Sequence, residues 1–187
     1  IDLEAELRAS VEAGFKDFEI YYQPTVDAVS GICNGAEALL RWTSPKNIRI
    51  SPADVIMHLE LIGCVEQVGD WVLEEAIGQC AAWRASGLSD FSIHVNLSML
   101  QLRDHVLEDR LVSMLASSGL PPSSLVLEVT ESAIMNDLSN SIAILNDIRR
   151  HGVRIALDDF GSGYSSINYL RKLPIDQIKI DRSFVAD

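Results

Sequence analysis

Six residues in this chain are of types that could do acid–base or metal chemistry together: Glu37 in GAEALL, Asn96 in VNLS, Glu128 in LVLEVTES, Asp158 and Asp159 in IALDDFG, and Lys179 in QIKID. Glu37, Glu128 and Asp158 each interrupt an otherwise apolar, strand-like run, and an isolated buried carboxylate is costly unless it is paired or bound to a cation. With Asn96 and Asp159 the set of donors is made of oxygen alone. Hard oxygen ligands with no nearby cysteine or paired histidines suit Mg²⁺ or Mn²⁺ better than a structural zinc. The adjacent aspartates pose a separate question, because neighbouring strand residues point to opposite faces and like charges repel. If the strand ends or bends there, helped by Gly161 and Gly163, both carboxylates reach one mouth and can hold two cations about 4 Å apart. Two plainer alternatives stand beside this. One aspartate could simply cap the following loop, or all of these could be rim residues in ordinary salt bridges. Clustering of five oxygen ligands and a lysine at strand ends favours a site.

The elements that must position these residues follow from hydrophobic spacing. LEAELRASVEAG is amphipathic at helical period, with Asp2 as its cap and Gly14 as its close. FEIYYQPTV and GAEALLRW are strand-like, and the short, turn-rich DAVSGICN between them is too short for a crossover, so the first pair is expected antiparallel. Helix SPADVIMHLELIG, with Ser51 as cap and Pro52 at its first position, and helix VEQVGDWVLEEAIGQCAAWRASG come next. Then strand FSIHVNLS leads to helical segments through LQLRDHVLEDRLVSMLASSG, strand SSLVLEVTES to helix AIMNDLSNSIAILNDIRRHG, and strand VRIALDDFG to a short helix around SSINYLRKL. PIDQIKIDRSFV is the last expected strand. This alternation predicts a parallel sheet under helices, either an open doubly wound sheet or a (β/α) barrel. The polar residues fall at C-terminal strand ends, where barrel enzymes build their chemistry, which favours the barrel.

Composition bounds the function. The chain has 187 residues, 48% of them hydrophobic, enough for one domain with a substantial core. A formal net charge of −12 argues against DNA, RNA or an anionic membrane as partners through a broad basic surface. Cys33, Cys64 and Cys80 are odd in number and widely spaced, which indicates neither a disulfide framework nor a zinc knuckle and fits a reducing, cytoplasmic setting. No apolar run approaches the roughly 20 residues of a membrane span, and IDLEAELRAS is no signal peptide, so this segment is expected to make no direct membrane contact. His58, His94, His105 and His151 lack metal-ligand spacing and read as structural or exposed. Trp42, Trp71 and Trp83 read as core.

Taken in order and spacing, GAEALLRW, VNLS, EVTES, DDFGSGYSS and IDQIKIDRSFV resemble the signature motifs of EAL domains, bacterial cyclic di-GMP phosphodiesterases. YYQPTVD, ISPADVI and GDWVLEEA match as well, so the likeness extends over essentially the whole chain. It implies an α/β fold, a modified TIM (β/α)8 barrel whose second strand is antiparallel to the rest, with about six strands present. It implies that Glu37, Asn96, Glu128 and Asp158 are ligands of a metal centre, that Asp159 serves a second metal, and hence two Mg²⁺ or Mn²⁺ ions. By the same resemblance Lys179 positions or activates the attacking water, with Asp159 and Glu37 beside it in the catalytic set. Glu131 steadies the DDFGSGYSS loop, Gln23 and Arg41 contact the nucleotide, and Arg41 meets phosphate. The implied reaction opens cyclic di-GMP to linear pGpG. Family members form homodimers and follow sensory or GGDEF domains, and the implied location is the cytoplasm, with any anchor in regions not shown.

The resemblance covers less than a whole family domain. A complete member continues through a seventh strand with an AEGVE-type motif, whose glutamate acts at the metals, and an eighth with a QG element. Residues 1–187 are thus expected to be the N-terminal three quarters of an EAL domain and a truncated view of a phosphodiesterase. The alternative is a catalytically inactive EAL domain serving as a cyclic di-GMP receptor or interaction scaffold. A lyase using Lys179 as a Schiff base is disfavoured, because the surrounding carboxylates would keep the amine protonated. Departures from the pattern are small: Ser162 stands where threonine is frequent, and Leu61 and Ile62 follow Glu60.

Overall fold

The computed structural model describes residues 3–44, 50–104, 106–161 and 170–184. Asp2, His105, Ser162, Gly163 and most of the expected short helix around SSINYLRKL lie outside the described residues. In chain order the elements are α1 (Leu3–Glu12), β1 (Phe18–Val26), β2 (Cys33–Trp42), α2 (Pro52–Leu61), α3 (Val65–Ala85), β3 (Ser92–Asn96), α4 (Leu107–Ser118), β4 (Leu125–Thr130), α5 (Glu131–Asn136), α6 (Leu138–Arg150), β5 (Arg154–Phe160) and β6 (Gln177–Ile180).

The described strands form one six-stranded sheet in sequential order. β1 and β2 are antiparallel, joined by a turn in which Asp27 accepts from the backbone of Val29 and Ser30. Every later neighbour is parallel, because helices intervene between successive strands and supply the crossovers. The barrel-type alternation expected from sequence is therefore present. One detail is corrected: β2 runs parallel to β3, so the reversed strand is the first and not the second.

Alternation along β4 and β5 divides the sheet into two faces. Leu125, Leu127 and Val129, with Ile155 and Leu157, join one apolar cluster with Leu73 and Ile77 of α3, Leu111 of α4, and Leu145 and Ile148 of α6. Glu128 and Asp158 alternate with these residues and project from the opposite face. Burying each such leucine or isoleucine contributes about 2 kcal/mol, so the helical layer fixes which face the acids occupy. Aromatic packing anchors the first strands to α3: Trp71 stacks on Phe15 at 5.1 Å, and Trp83 meets Tyr22 at 4.8 Å and Phe91 at 5.3 Å, as expected of core tryptophans.

Two element boundaries differ from expectation. The single helix expected after β4 is two helices, because Asp137 leaves the helical region at φ −146° and ψ 79° and caps α6 by accepting from Asn140 N. The last strand is short. β6 covers Gln177–Ile180, and a 3-10 turn at Arg182–Phe184 replaces its expected extension.

Candidate functional site

Lys179 of β6 collects the strand-end carboxylates. Its Nζ donates to Glu37 Oε2 at 3.1 Å, to Asp158 Oδ2 at 3.2 Å, and to Glu128 Oε2. An ammonium has three donors, and each has a carboxylate. The inward residues of β3 complete the arrangement from the other side. Asn96 Nδ2 donates to Glu37 Oε1 at 2.9 Å, and His94 Nδ1 lies 2.8 Å from Glu128 Oε1. Register makes this possible: Glu37 pairs with His94 across β2 and β3, and Asn96 with Glu128 across β3 and β4. Glu128 is almost wholly buried, at 1% exposed.

The adjacent aspartates occupy a β-bulge. Leu157 pairs with Ile178 and Phe160 with Ile180, so Asp158 and Asp159 together oppose the single residue Lys179. The strand does not end at the pair but continues to Phe160. Asp159 takes φ 53°, a left-handed conformation that aspartate tolerates better than most residues, and its N–H donates to Asp158 Oδ1 at 2.9 Å. Bulges re-aim side chains in this way. Asp158 turns to Lys179, while Asp159 is exposed and lines the neighbouring cleft. The expected bend is thus real, and its cause is the extra residue rather than the end of the strand. Gly161 follows at φ 97°, a left-handed backbone conformation that favours glycine.

Charge in the cluster is unevenly felt. Burial alone would lower the Lys179 pKa, but the hydrogen bond and charge of Glu128, with the charges of Asp158 and Glu37, raise it well above the usual lysine range. Burial alone would raise Glu37, yet the Asn96 hydrogen bond and Lys179 hold it below the usual glutamate value. Asp159 is raised, first by partial burial and then by the negative charge of Asp158. Lys179 is therefore an ammonium across the physiological range, and no free amine is available for Schiff-base chemistry.

A cleft of about 710 Å³ opens beside the cluster, lined by Arg41, Asn96, Asp158 and Asp159 over an apolar floor that includes Ile56, Val68 and Leu97. Arg41 reaches it with its guanidinium 5.6 Å from the Tyr21 ring and Nη1 donating to Leu40 O at 2.8 Å. Gln23 is exposed on β1, directly opposite Glu37 in register, and is not part of the lysine-centred cluster. Glu131 is buried at the first residue of α5, after Thr130, whose Oγ1 caps that helix by accepting from Ala133 N at 3.3 Å. Most of the loop that Glu131 was expected to steady lies outside the described residues. Among the described residues, no three His, Cys, Asp or Glu side chains are grouped closely enough to hold a metal ion by themselves, and Glu37, Glu128 and Asp158 are paired with the Lys179 ammonium.

Sequence reasoning missed His94, which read as structural or exposed. The signal was available in its spacing, since a strand residue two before Asn96 must share its face. His151 is exposed and lies 2.7 Å from Glu108, and His58 is partly buried, with Glu4 at 3.6 Å.

Residues 4–187 match the EAL domain family. Among curated relatives, the bifunctional diguanylate cyclase/cyclic di-GMP phosphodiesterase MucR of Pseudomonas aeruginosa is 42% identical over 187 residues, covering 100% of this chain and 27% of MucR. The cyclic di-GMP phosphodiesterase NbdA of the same organism is 36% identical over 187 residues, covering 100% of this chain and 24% of NbdA. This chain thus spans about a quarter of the length of those relatives. The solved structure of the MucR phosphodiesterase in complex with c-di-GMP superposes with a TM-score of 0.92 at 42% identity, covering 99% of this chain and 74% of that one. The six strands correspond to the greater part of a TIM-like barrel in such structures. With strand order, motif positions and full-length similarity in agreement, the chain belongs to the EAL domain family.

Proposed function

We propose that the protein carrying this chain hydrolyses cyclic di-GMP to linear pGpG, using Mg²⁺ or Mn²⁺ held by Glu37, Asn96, Glu128, Asp158 and Asp159. The observation that carries this reading is the convergence of Glu37, Glu128 and Asp158 on one cationic point, beside a cleft that Arg41 and Asp159 also line. The donor set fits hard divalent ions. It is made of oxygen, it already gathers around a cation, and three carboxylates facing one ammonium, with Asp159 on the cleft side, leave the site negative. When bound, such ions supply charge neutralisation for the phosphodiester oxygens and easier ionisation of water.

The chain's own groups account for the rest. As an ammonium, Lys179 cannot take the proton of the attacking water, and it donates to that water only by exchanging one of its three carboxylate partners. Arg41 offers a planar, permanently charged donor to phosphate in a chain that is otherwise acidic. Gln23 and the apolar floor meet the nucleotide, Glu131 steadies the loop after β5, and Asp159 presents its carboxylate on the cleft side of the bulge. A water oxygen bonds to phosphorus as the bond to the 3′-oxygen breaks, the proton that this water loses passes through solvent to the leaving oxygen, and the ring opens.

The intact protein with Mg²⁺ or Mn²⁺ is expected to convert cyclic di-GMP to pGpG, followed by chromatography, and Asp159→Asn is expected to abolish turnover while leaving the fold intact. Absence of product at verified metal occupancy overturns the reading. A receptor is the second reading, favoured by one observation: Lys179 pairs with three of the proposed ligand carboxylates, Glu37, Glu128 and Asp158. Calorimetry showing nucleotide binding without turnover would establish it. We further read residues 1–187 as one domain, the N-terminal three quarters of an EAL domain, within a cytoplasmic homodimer linked to sensory or GGDEF domains. The 74% coverage of the MucR structure supports the domain share, and sedimentation velocity tests the dimer. Among the described residues, no helix is long and apolar enough to cross a membrane.

A further inference from the structure

We infer that His94 is a positioning residue, which fixes the Glu128 carboxylate in the orientation that the cation site needs. The inference rests on the phosphodiesterase reading and adds to it a residue outside the expected ligand set. Glu128 is 1% exposed, and its two oxygens have different partners: Oε2 accepts from Lys179, and Oε1 lies 2.8 Å from His94 Nδ1. A carboxylate accepts, so this bond assigns the ring proton to Nδ1. Rotation about the last torsion of a glutamate is broad, and one hydrogen bond leaves the plane of the carboxylate undefined. Two bonds from opposite sides define it.

The placement of His94 makes it suited to this task. Its side chain is 12% exposed, and its register partners are Glu37 on β2 and Val126 on β4, so it has a rigid neighbour on each side. His94 and Asn96 share the inward face of β3 and brace one carboxylate each, His94 reaching Glu128 and Asn96 reaching Glu37. By contrast, the carboxylates near His58 and His151 are 51% and 37% exposed, where solvent competes and no orientation is imposed. Loss of a residue that orients a ligand through a hydrogen bond typically costs roughly 10- to 100-fold in affinity for the cation.

The test uses the intact protein with His94→Leu, which removes the donor, and His94→Asn, whose amide can donate from near the same point. Free Mn²⁺ is followed by electron paramagnetic resonance, kcat and KM for cyclic di-GMP are measured separately, and thermal melts check folding. His94→Leu is expected to weaken Mn²⁺ binding roughly 10- to 100-fold and to lower kcat, with KM unchanged. His94→Asn is expected to restore most of both. Wild-type Mn²⁺ affinity in His94→Leu overturns the inference, as does an equal loss in the two variants, which would mark a merely structural role. Direct nitrogen coupling to Mn²⁺ in the wild-type pulsed spectrum also overturns it, by making His94 a ligand. A wild-type protein that binds no Mn²⁺ removes the phosphodiesterase reading itself, and the inference falls with it.

Discussion

β4 and β5 lie side by side, parallel, and each carries a carboxylate inward near its C-terminal end, yet they hold those acids by different means. β4 is regular, and Glu128 is enclosed and bonded on both oxygens. β5 breaks its register at Asp158 and Asp159, leaving one acid turned to Lys179 and the other exposed at φ 53°. A regular strand delivers one fixed carboxylate per inward position; a bulge delivers two on the same side, at the cost of strained backbone. The contrast separates a rigid donor that must be neutralised within the fold from a looser pair that faces the cleft.

The largest effect is expected where the rigid donor loses its counter-ion. Lys179→Met leaves Glu37, Glu128 and Asp158 around an empty centre and should cost about 3–5 kcal/mol in urea unfolding at neutral pH. A variant as stable as wild type at neutral pH would show that Glu128 is not held by charge, and the contrast with β5 would collapse.

Gly161→Ala probes the end of the bulged strand. The left-handed φ should cost about 1–2 kcal/mol, measured by thermal and urea unfolding. Little loss would mean that the backbone after the bulge is free to move.

At its start, by contrast, β5 is firmly clamped. Asp176 accepts from Ile155 N at 2.9 Å and from Arg149 at 2.6 and 3.2 Å. Burial alone would raise its pKa, but these bonds hold it below the usual aspartate value. Its contribution is thus present above the unfolded pKa of about 3.9 and lost as pH falls through the folded value. Asp176→Asn should cost about 1 kcal/mol at neutral pH, because Arg149 is partly exposed, and the difference from wild type should fade in strong acid.

Asp159→Gly should do least to stability. Relief of the left-handed conformation offsets the added freedom of the unfolded chain, leaving the variant within about 0.5 kcal/mol of wild type. The sign with pH is opposite to that of Asp176. Asp159 has a raised pKa, so wild type loses a little stability as pH rises through the acid range, and the glycine variant should not. Turnover should be lost all the same, which would place function on the bulge and stability on β4. A large destabilisation would reverse that assignment.

Much of this could be read from the residues. Turn chemistry and apolar period located the strands: the six-residue link from Asp27 to Ile32 dictated an antiparallel start, and the helices after Trp42 dictated parallel pairing from there. Burial cost alone singled out Glu37, Glu128 and Asp158 as acids needing a cation, and the structure supplies one in Lys179. The break at Asp137 was missed because its flanks continue the helical period, and only a capping bond to Asn140 marks it. β6 was overextended because IDRSFV keeps a strand-like composition through the turn at Arg182–Phe184. His94 lacks metal-ligand spacing along the chain, and the one signal it carries is the strand face it shares with Asn96; its partner Glu128 is set by pairing across the sheet.

The sequence by itself determined the residue types, the strand ends on which they fall, and the acidity that requires a cation. These depend on local period and on the cost of burying charge, and both can be read along one chain. Only the tertiary structure decided that Lys179 fills the centre, that Asp158 and Asp159 oppose it together, and that β3 braces the acids on both of its sides. Register is the reason. Which residue stands opposite which is set by pairing between distant strands, and the local sequence, which marks a bend at the paired aspartates, does not show that the bend sets both of them opposite Lys179.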